Sequence, residues 1–350
     1  MIKINEKYQK ILLLFLQSGF LSSSQVHENL KKIGEEVSLV TIKRDLSQMA
    51  LDGLIVAEGA GRSYGYKIGI AGRIFANINA RIYCAVEPDK RYGMERFNFE
   101  LFSGLPSEIF SEQELGSLNK ATDEYKNRIK DLPVAIQKKE LERLIIELSW
   151  KSSKIEGNTY TLLDTEKLIL ENKEAVGHDK KESVMILNHK DAFNFVRENI
   201  NNFKTLNKIN LEQLHSILTK DLSVGAGFRK NAVGVTGSKY RPIDNTYQLN
   251  EAMEMLNSAI SKMKTPYEKS LMALLGISYV QPFEDGNKRT ARLMANALLM
   301  VHNCAPLSYR SVDENDYREG MLVFYELNSI IPLKNIFVSQ YEFAARNYAI

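Results

Sequence analysis

Apolar residues recur at helical spacing at the start of the chain, at Ile4, Tyr8, Ile11, Leu12 and Phe15, and predict an amphipathic helix. A second helix is expected from a Ser24 cap through Lys32, with Val26 and Leu30 inward. After a turn at Gly34, Ser38 caps a third helix. Its Ile42, Leu46 and Met49 form a buried stripe, while Thr41, Lys43, Arg44 and Gln48 face outward. Leu54 to Ile68 then reads as two strands around a glycine-rich turn. Farther on, Ser111 and Glu114 form a capping box for a helix running toward Lys130, which Asp131-Leu-Pro ends. A helix from near Val134 reaches Gly157, a plausible C-terminal cap. Residues 265–280 are apolar almost all round and predict a fully buried helix; Ala291 to Val301 is a second apolar run.

Between those two apolar runs lies Gln281-Pro-Phe-Glu-Asp-Gly-Asn-Lys-Arg-Thr-Ala-Arg292, a concentration of charge that is costly at a core junction unless it binds something. A helix starting near Asn287 offers unpaired N–H groups and the positive end of its dipole. With Arg289 and Arg292 added, the terminus suits a polyanion, and Asp285 beside it could hold a divalent metal. These residue types together predict a Mg-nucleotide phosphate site.

The stretch resembles the core motif of the Fic family, H-x-F-x-D/E-G-N-G/K-R-x-x-R. Phe283, Asp285, Gly286, Asn287, Lys288, Arg289 and Arg292 match, and Gln281 stands where the family has His. The resemblance implies transfer of AMP from ATP to a protein Ser, Thr or Tyr hydroxyl. It places Mg²⁺ on Asp285, the phosphates on Gly286, Asn287, Lys288 and the following backbone, and the β/γ end on Arg289 and Arg292. The family's His takes the hydroxyl proton. An amide cannot, so Gln281 predicts retained nucleotide binding with impaired transfer. Lys288 is also the residue of the related Doc branch, for which γ-phosphate transfer is implied, whereas Asp285-Gly286 and Arg292 look more like the adenylylating branch.

Ser152 and Glu156, four apart on one helical face, resemble the family's inhibitory motif S/T-x-x-x-E-G/N, whose Glu pairs with the second Arg of the core motif, here Arg292. Residues 225–242 alternate β-prone pieces with glycines. They resemble the family's flap, a β-hairpin that docks the target segment, with Arg229, Val233, Val235, Gly237, Tyr240 and Pro242 fitting the pattern. His178, His189, His215 and His302 are read as capping or packing residues.

Three helices followed by a two-strand ribbon is winged-helix order, and T-I-K-R-D-L with L-D-G-L-I resembles the DeoR-type helix-turn-helix. Thr41, Lys43, Arg44 and Gln48 would then meet DNA. Nine Lys and Arg against seven Asp and Glu over residues 1–70 is a weak basic balance, so a protein-interaction role stays open beside DNA binding.

The expected fold is mainly α. A small α+β winged-helix domain (1–70) and a helical bridging region (71–133) precede an all-α Fic core (134–350) with a β-hairpin flap. A net charge of +3 over 350 residues implies no polyanion globally. Two cysteines, Cys84 and Cys304, suit a reducing cytoplasm, and no stretch reaches membrane-spanning length. The partners implied are ATP, a protein target (this chain included), DNA through residues 1–70, and further copies in a homo-oligomer. The competing reading is a catalytically degenerate ATP-binding regulator of transcription or interaction.

Overall fold

The computed structural model describes residues 4–350. The chain groups into two compact units, one of residues 1–106, 235–241 and 319–333, the other of residues 107–234, 242–318 and 334–350. The observed cut falls at 106/107, so the stretch 71–133 is divided between them instead of standing apart. No helix among the described residues is long and apolar enough to cross a membrane.

The first unit opens with α1 (Glu6–Ser18), α2 (Ser23–Lys32) and α3 (Leu39–Leu51), followed by β1 (Ile55–Glu58) and β2 (Gly65–Ile68). Two short helices follow, α4 (Ile70–Phe75) and α5 (Ala80–Cys84). Local chemistry sets the boundaries. Asn5 caps α1 and Ser38 caps α3. The cap of α2 is Ser22, not Ser24, because Ser22 and Gln25 complete a reciprocal capping box that Ser24 has no partner to form. Gly53, at φ 71°, turns α3 into β1, and β1 and β2 pair antiparallel with Ile55 opposite Ile68. Ile11, Leu12, Phe15, Val26, Ile42, Leu46 and Met49 are wholly buried in one core. Lys43, Arg44 and Gln48 are exposed on α3. Thr41 is only partly so, its hydroxyl 2.9 Å from that of Ser38 at the helix cap.

The same unit holds a buried polar node. The Glu326 carboxylate accepts hydrogen bonds from the hydroxyls of Tyr83 and Ser238, each at 2.7 Å, and pairs with Arg91 at 2.9 Å. Arg91 also donates to the carbonyls of Val86 and Gly237. Residues 235–238 thereby form a clamped turn, with Gly237 at φ 77° and the Ser238 amide bonded to the Val235 carbonyl. This departs from the flap expected around Val233, Val235, Gly237 and Tyr240. The turn forms, but its flanks make no ladder with each other, and Arg241 instead makes an isolated parallel bridge to Arg96. Tyr240 is buried and stacks on Tyr325. The turn lies where the pattern put it, and its polar groups are met by Arg91 and Glu326, since hydrogen-bonding capacity does not name which group will fill it.

In the second unit, α6 (Glu112–Lys130), α7 (Val134–Ile155), α8 (Leu162–Glu171), α9 (Lys180–Glu198), α10 (Lys208–Leu218), α11 (Thr246–Lys262), α12 (Pro266–Val280) and α13 (Asn287–Met300) follow in order. α14 (Glu314–Leu327) and α15 (Ile331–Asn347) complete the chain, residues 319–333 grouping with the first unit. The predicted capping box at Ser111 and Glu114 opens α6. α12 is buried almost throughout, and α13 packs along it. Gly276 lets α11 approach: a Cβ there would lie 2.3 Å from a methyl of Leu256.

Removing one partner of a buried ion pair typically costs about 3–5 kcal/mol, because the other charge is stranded. Glu326→Ala is therefore expected to lower stability by roughly that amount, read as a drop in the urea midpoint of the full chain. An unchanged midpoint would mean that Arg91 and Tyr83 are satisfied without the carboxylate.

Candidate functional site

The site begins where α12 stops. Gln281 takes the left-handed conformation (φ 51°, ψ 61°), which a residue with a Cβ adopts only when its surroundings hold it there. Its Nε2 donates to the Ser278 carbonyl at 2.6 Å, and its Oε1 accepts from Asn287 Nδ2 at 2.9 Å. Asn287 then staples the turn: Nδ2 donates to the Phe283 carbonyl and Oδ1 accepts from the Phe283 amide, both at 2.8 Å. Phe283 is wholly buried and lies flat on His215, ring centroids 3.7 Å apart. His215 Nε2 donates to the Asp285 carbonyl at 2.9 Å. Gly286 sits at φ 77°, and a Cβ there would also press on Thr219 at 3.1 Å, so glycine is needed for both torsion and space.

From Gly286 the chain enters α13, whose first turn has no side-chain cap. Its N–H groups therefore stay available, and Lys288, Arg289 and Arg292 crowd the same end. Arg292 is wholly buried. Its Nε donates to Ser152 Oγ at 2.9 Å, its Nη2 donates to the Ser152 carbonyl at 2.8 Å, and Nη2 lies 2.9 Å from Glu156 Oε1. Its Nη1 is buried without a partner, and its guanidinium carbon lies 5.6 Å from the centre of the Tyr317 ring. Arg289 is 2% exposed, yet its nearest polar neighbours are distant: the Leu218 carbonyl at 3.5 Å and Asp285 Oδ2 at 3.6 Å. Burial lowers its pKa, against the pull of Asp285 and Glu156. Burial alone would raise Glu156, but the charges of Arg292 and Lys288 outweigh it and hold the carboxyl below its usual range.

Sequence and structure agree on the gathering of Asp285, Gly286, Lys288, Arg289 and Arg292 at one helix start, and on Ser152 and Glu156 facing Arg292. They differ on Asn287. The family pattern puts it on the phosphates, whereas here both amide hydrogens are spent inside the turn. Arg318 was not legible in the sequence, and Arg229 and His215, read there as a flap residue and a capping or packing histidine, gave no sign of the partners they take. Arg229 donates to the carbonyls of Gln281 at 2.6 Å and Ile243, and its own N–H to that of Pro282, fastening both roots of residues 230–242 to the turn. Arg318 donates to the Ile155 carbonyl at 2.8 Å and so fixes the end of α7 beside Glu156. His215 lies 70 positions before Asp285, and no local pattern joins them.

A metal fits the site only in a limited way. No group of three or more His, Cys, Asp or Glu among the described residues could hold an ion. The Asp285 carboxylate is 72% exposed, and one exposed carboxylate suits Mg²⁺, which takes its remaining ligands from phosphates and water.

His189 is buried with neither ring nitrogen partnered. Burial first, then Arg292 and Arg289, push its pKa well below the ordinary imidazole range; His215 is pushed to about 4, mainly by burial. Unfolded chains take up those protons near pH 6.5, and the folded protein does not. The stability conferred by the neutral rings is therefore complete above pH 6.5 and declines as pH falls below it. One such histidine gives a slope of about 1.4 kcal/mol per pH unit. Urea midpoints measured between pH 7 and 4.5 are expected to fall accordingly, and His189→Leu to flatten the slope. An equal slope in the variant would remove His189 from the account.

Residues 205–299 match the model of the Fic/DOC family, a span that runs from just before α10 almost to the end of α13. The protein adenylyltransferase Fic of Aedes aegypti is 32% identical over 204 residues, 57% of this chain and 40% of that protein. The corresponding protein of Nematostella vectensis is 29% identical over 204 residues, 56% of this chain and 48% of that protein. The chain thus spans less than half the length of these curated relatives. Among solved structures, a Fic domain-containing signaling protein from Bacteroides thetaiotaomicron superposes with a TM-score of 0.55 at 21% identity, covering 66% of this chain and 94% of that one. Fic-1 (residues 134–508) from C. elegans gives 0.56 at 19% identity, covering 67% and 70%. At these identities the likeness establishes fold. Over residues 205–299, the helices that carry the α12–α13 turn are similar to the Fic/DOC family.

Proposed function

We propose that the α12–α13 turn binds Mg-ATP and belongs to a protein adenylyltransferase, held off by Glu156 and slowed by Gln281. The observation that carries this is Arg289: a cation withdrawn from water, with no partner closer than 3.5 Å, beside an uncapped helix N-terminus. Burying a charge is expensive unless something neutralises it, and phosphate oxygens would do so. Lys288 and Arg292 add two further cations at the same end. The names of the relatives support adenylyl transfer over other uses of ATP.

In that reaction a protein hydroxyl oxygen attacks the α-phosphorus, the bond to the β-phosphate oxygen breaks, and pyrophosphate leaves with the electron pair. Mg²⁺ held by Asp285 would neutralise charge on the phosphates. The hydroxyl proton needs an acceptor, and Gln281 provides none: an amide is not basic, and its oxygen already accepts from Asn287. Loss of general-base help costs typically ~10²–10⁴ in rate, whereas positioning and phosphate electrostatics remain with the other residues. Glu156 opposes the nucleotide by occupying Arg292, a carboxylate competing with phosphate for one guanidinium. The N-terminal inhibitory arrangement is part of this reading.

A second reading is favoured by Gln281 itself. Both polar ends of its side chain are hydrogen-bonded within the turn, as a structural residue's would be. On that reading the domain is an ATP-binding regulator, and residues 1–70 form a winged helix that contacts DNA through exposed Lys43, Arg44 and Gln48. The weak basic balance of residues 1–70 predicts binding only at low salt.

Transfer from α-labelled ATP to protein is expected to be near background for the chain as it stands. Gln281→His should raise it by ~10² or more, and Glu156→Gly in the same chain should raise it further. Labelling that stays flat in the double variant would sink the transferase reading. For the regulator, a duplex-DNA gel shift at low ionic strength should appear and weaken with Arg44→Ala; no shift with any DNA would leave residues 1–70 an interaction module.

A further inference from the structure

Glu156 holds two cations, not one. Its Oε1 lies 2.9 Å from Arg292, and its Oε2 lies 3.3 Å from Lys288. The two are four residues apart on α13, so they project from one face of the helix, and a single carboxylate can bridge them. Their mobility differs. Arg292 is wholly buried and fixed by Ser152 at two points, whereas the Lys288 side chain is 32% exposed on a flexible stem. The Glu156 end of α7 is itself held, through the Arg318 bond to Ile155 and the Lys151–Glu314 ion pair. A ligand entering this site therefore meets a carboxylate that must be displaced from both cations at once.

We infer that Lys288 is the second cation of the latch and, once Glu156 yields, the residue that makes the site select a nucleoside triphosphate over a diphosphate. This rests on the nucleotide reading above and adds the charge requirement. Releasing Glu156 strands Arg292 and Lys288 together. Restoring neutrality takes a group carrying about two negative charges that reaches the far end of the α13 start, and a terminal phosphate provides it. A diphosphate, one phosphate shorter, leaves one cation facing the displaced carboxylate, so the latch tends to reclose. Lys288 thus acts twice with opposite sign: it holds Glu156 against the ligand, and it binds the ligand after release.

Opposite signs make the claim measurable by a double-mutant cycle on the full chain, with ATP and ADP binding followed by calorimetry in the presence of Mg²⁺. The variants are Lys288→Ala, Glu156→Gln and the two combined, with Lys288→Arg as the charge-retaining control and thermal melts to verify folding. With Glu156 in place, Lys288→Ala is expected to change ATP affinity by less than threefold, or to tighten it, because latch and ligand contacts are lost together. In the Glu156→Gln background the same substitution should weaken ATP at least tenfold and ADP by less than threefold, with Lys288→Arg restoring the preference. Equal effects of Lys288→Ala in the two backgrounds would overturn the latch role. Equal weakening of ATP and ADP would overturn the selectivity. A Glu156→Gln protein that binds neither nucleotide would overturn the nucleotide site itself, a result distinct from both.

Discussion

A guanidinium with no access to water needs a counter-charge, and Arg292 is such a group. Its desolvation is offset by Glu156, by two bonds to Ser152 and by the face of Tyr317. These partners come from the end of α7 and the start of α14, so one buried cation fixes how three helices meet. Stability at that point is not the gain, since replacing a buried ion pair by apolar residues is often neutral or favourable. What the arrangement provides is exchangeability. A carboxylate can be traded for a phosphate with no change of charge sign, whereas an apolar contact cannot. The neighbouring Arg289 shows the same constraint unrelieved, with only distant partners.

The turn that presents these cations is rigid by a different means. Asn287 joins its two ends, Phe283 locks it onto His215, and Gln281 closes the last turn of α12 in a left-handed conformation. None of these side chains needs a ligand to be satisfied. The turn is preorganised before anything binds, and so the cost of ordering it falls on folding and not on recognition.

Reading the sequence located what local chemistry determines. The caps at Ser38 and Ser111, the buried faces of α3 and α12 and the charge cluster on α13 all follow from spacing and residue type. Misses came where several local solutions were equally good or where the partner was distant. Ser22, Ser23 and Ser24 can each cap a helix, and only Gln25 decides among them. Val233 to Tyr240 has hairpin composition, but Arg91 and Glu326, nearly 150 residues before and 90 after the turn, determine what it pairs with. Asn287 matches a binding motif by identity, yet its amide is consumed internally, which no motif reports. The ion pair between Lys288 and Glu156 spans 132 residues, and although each lies in a recognisable motif, neither motif names the other as partner.

The distinction between binding and chemistry at Gln281 has a consequence for how this domain could act. General-base catalysis enters only in the transition state, so its loss leaves ground-state affinity untouched. On the nucleotide reading proposed above, the force that would move Glu156 arises in the ground state, from phosphate oxygens competing for the two cations it holds, Arg292 and Lys288. The two are separable in the same site. On that reading, a chain that cannot take the hydroxyl proton can still convert nucleotide occupancy into displacement of the Glu156 carboxylate. The size of that response is bounded by the difference in affinity between latched and unlatched forms and not by any turnover rate. On the proposed reading, Gln281 in the base position would therefore weaken one output of the site and leave the other, and the cation cluster on α13 is what that second output requires.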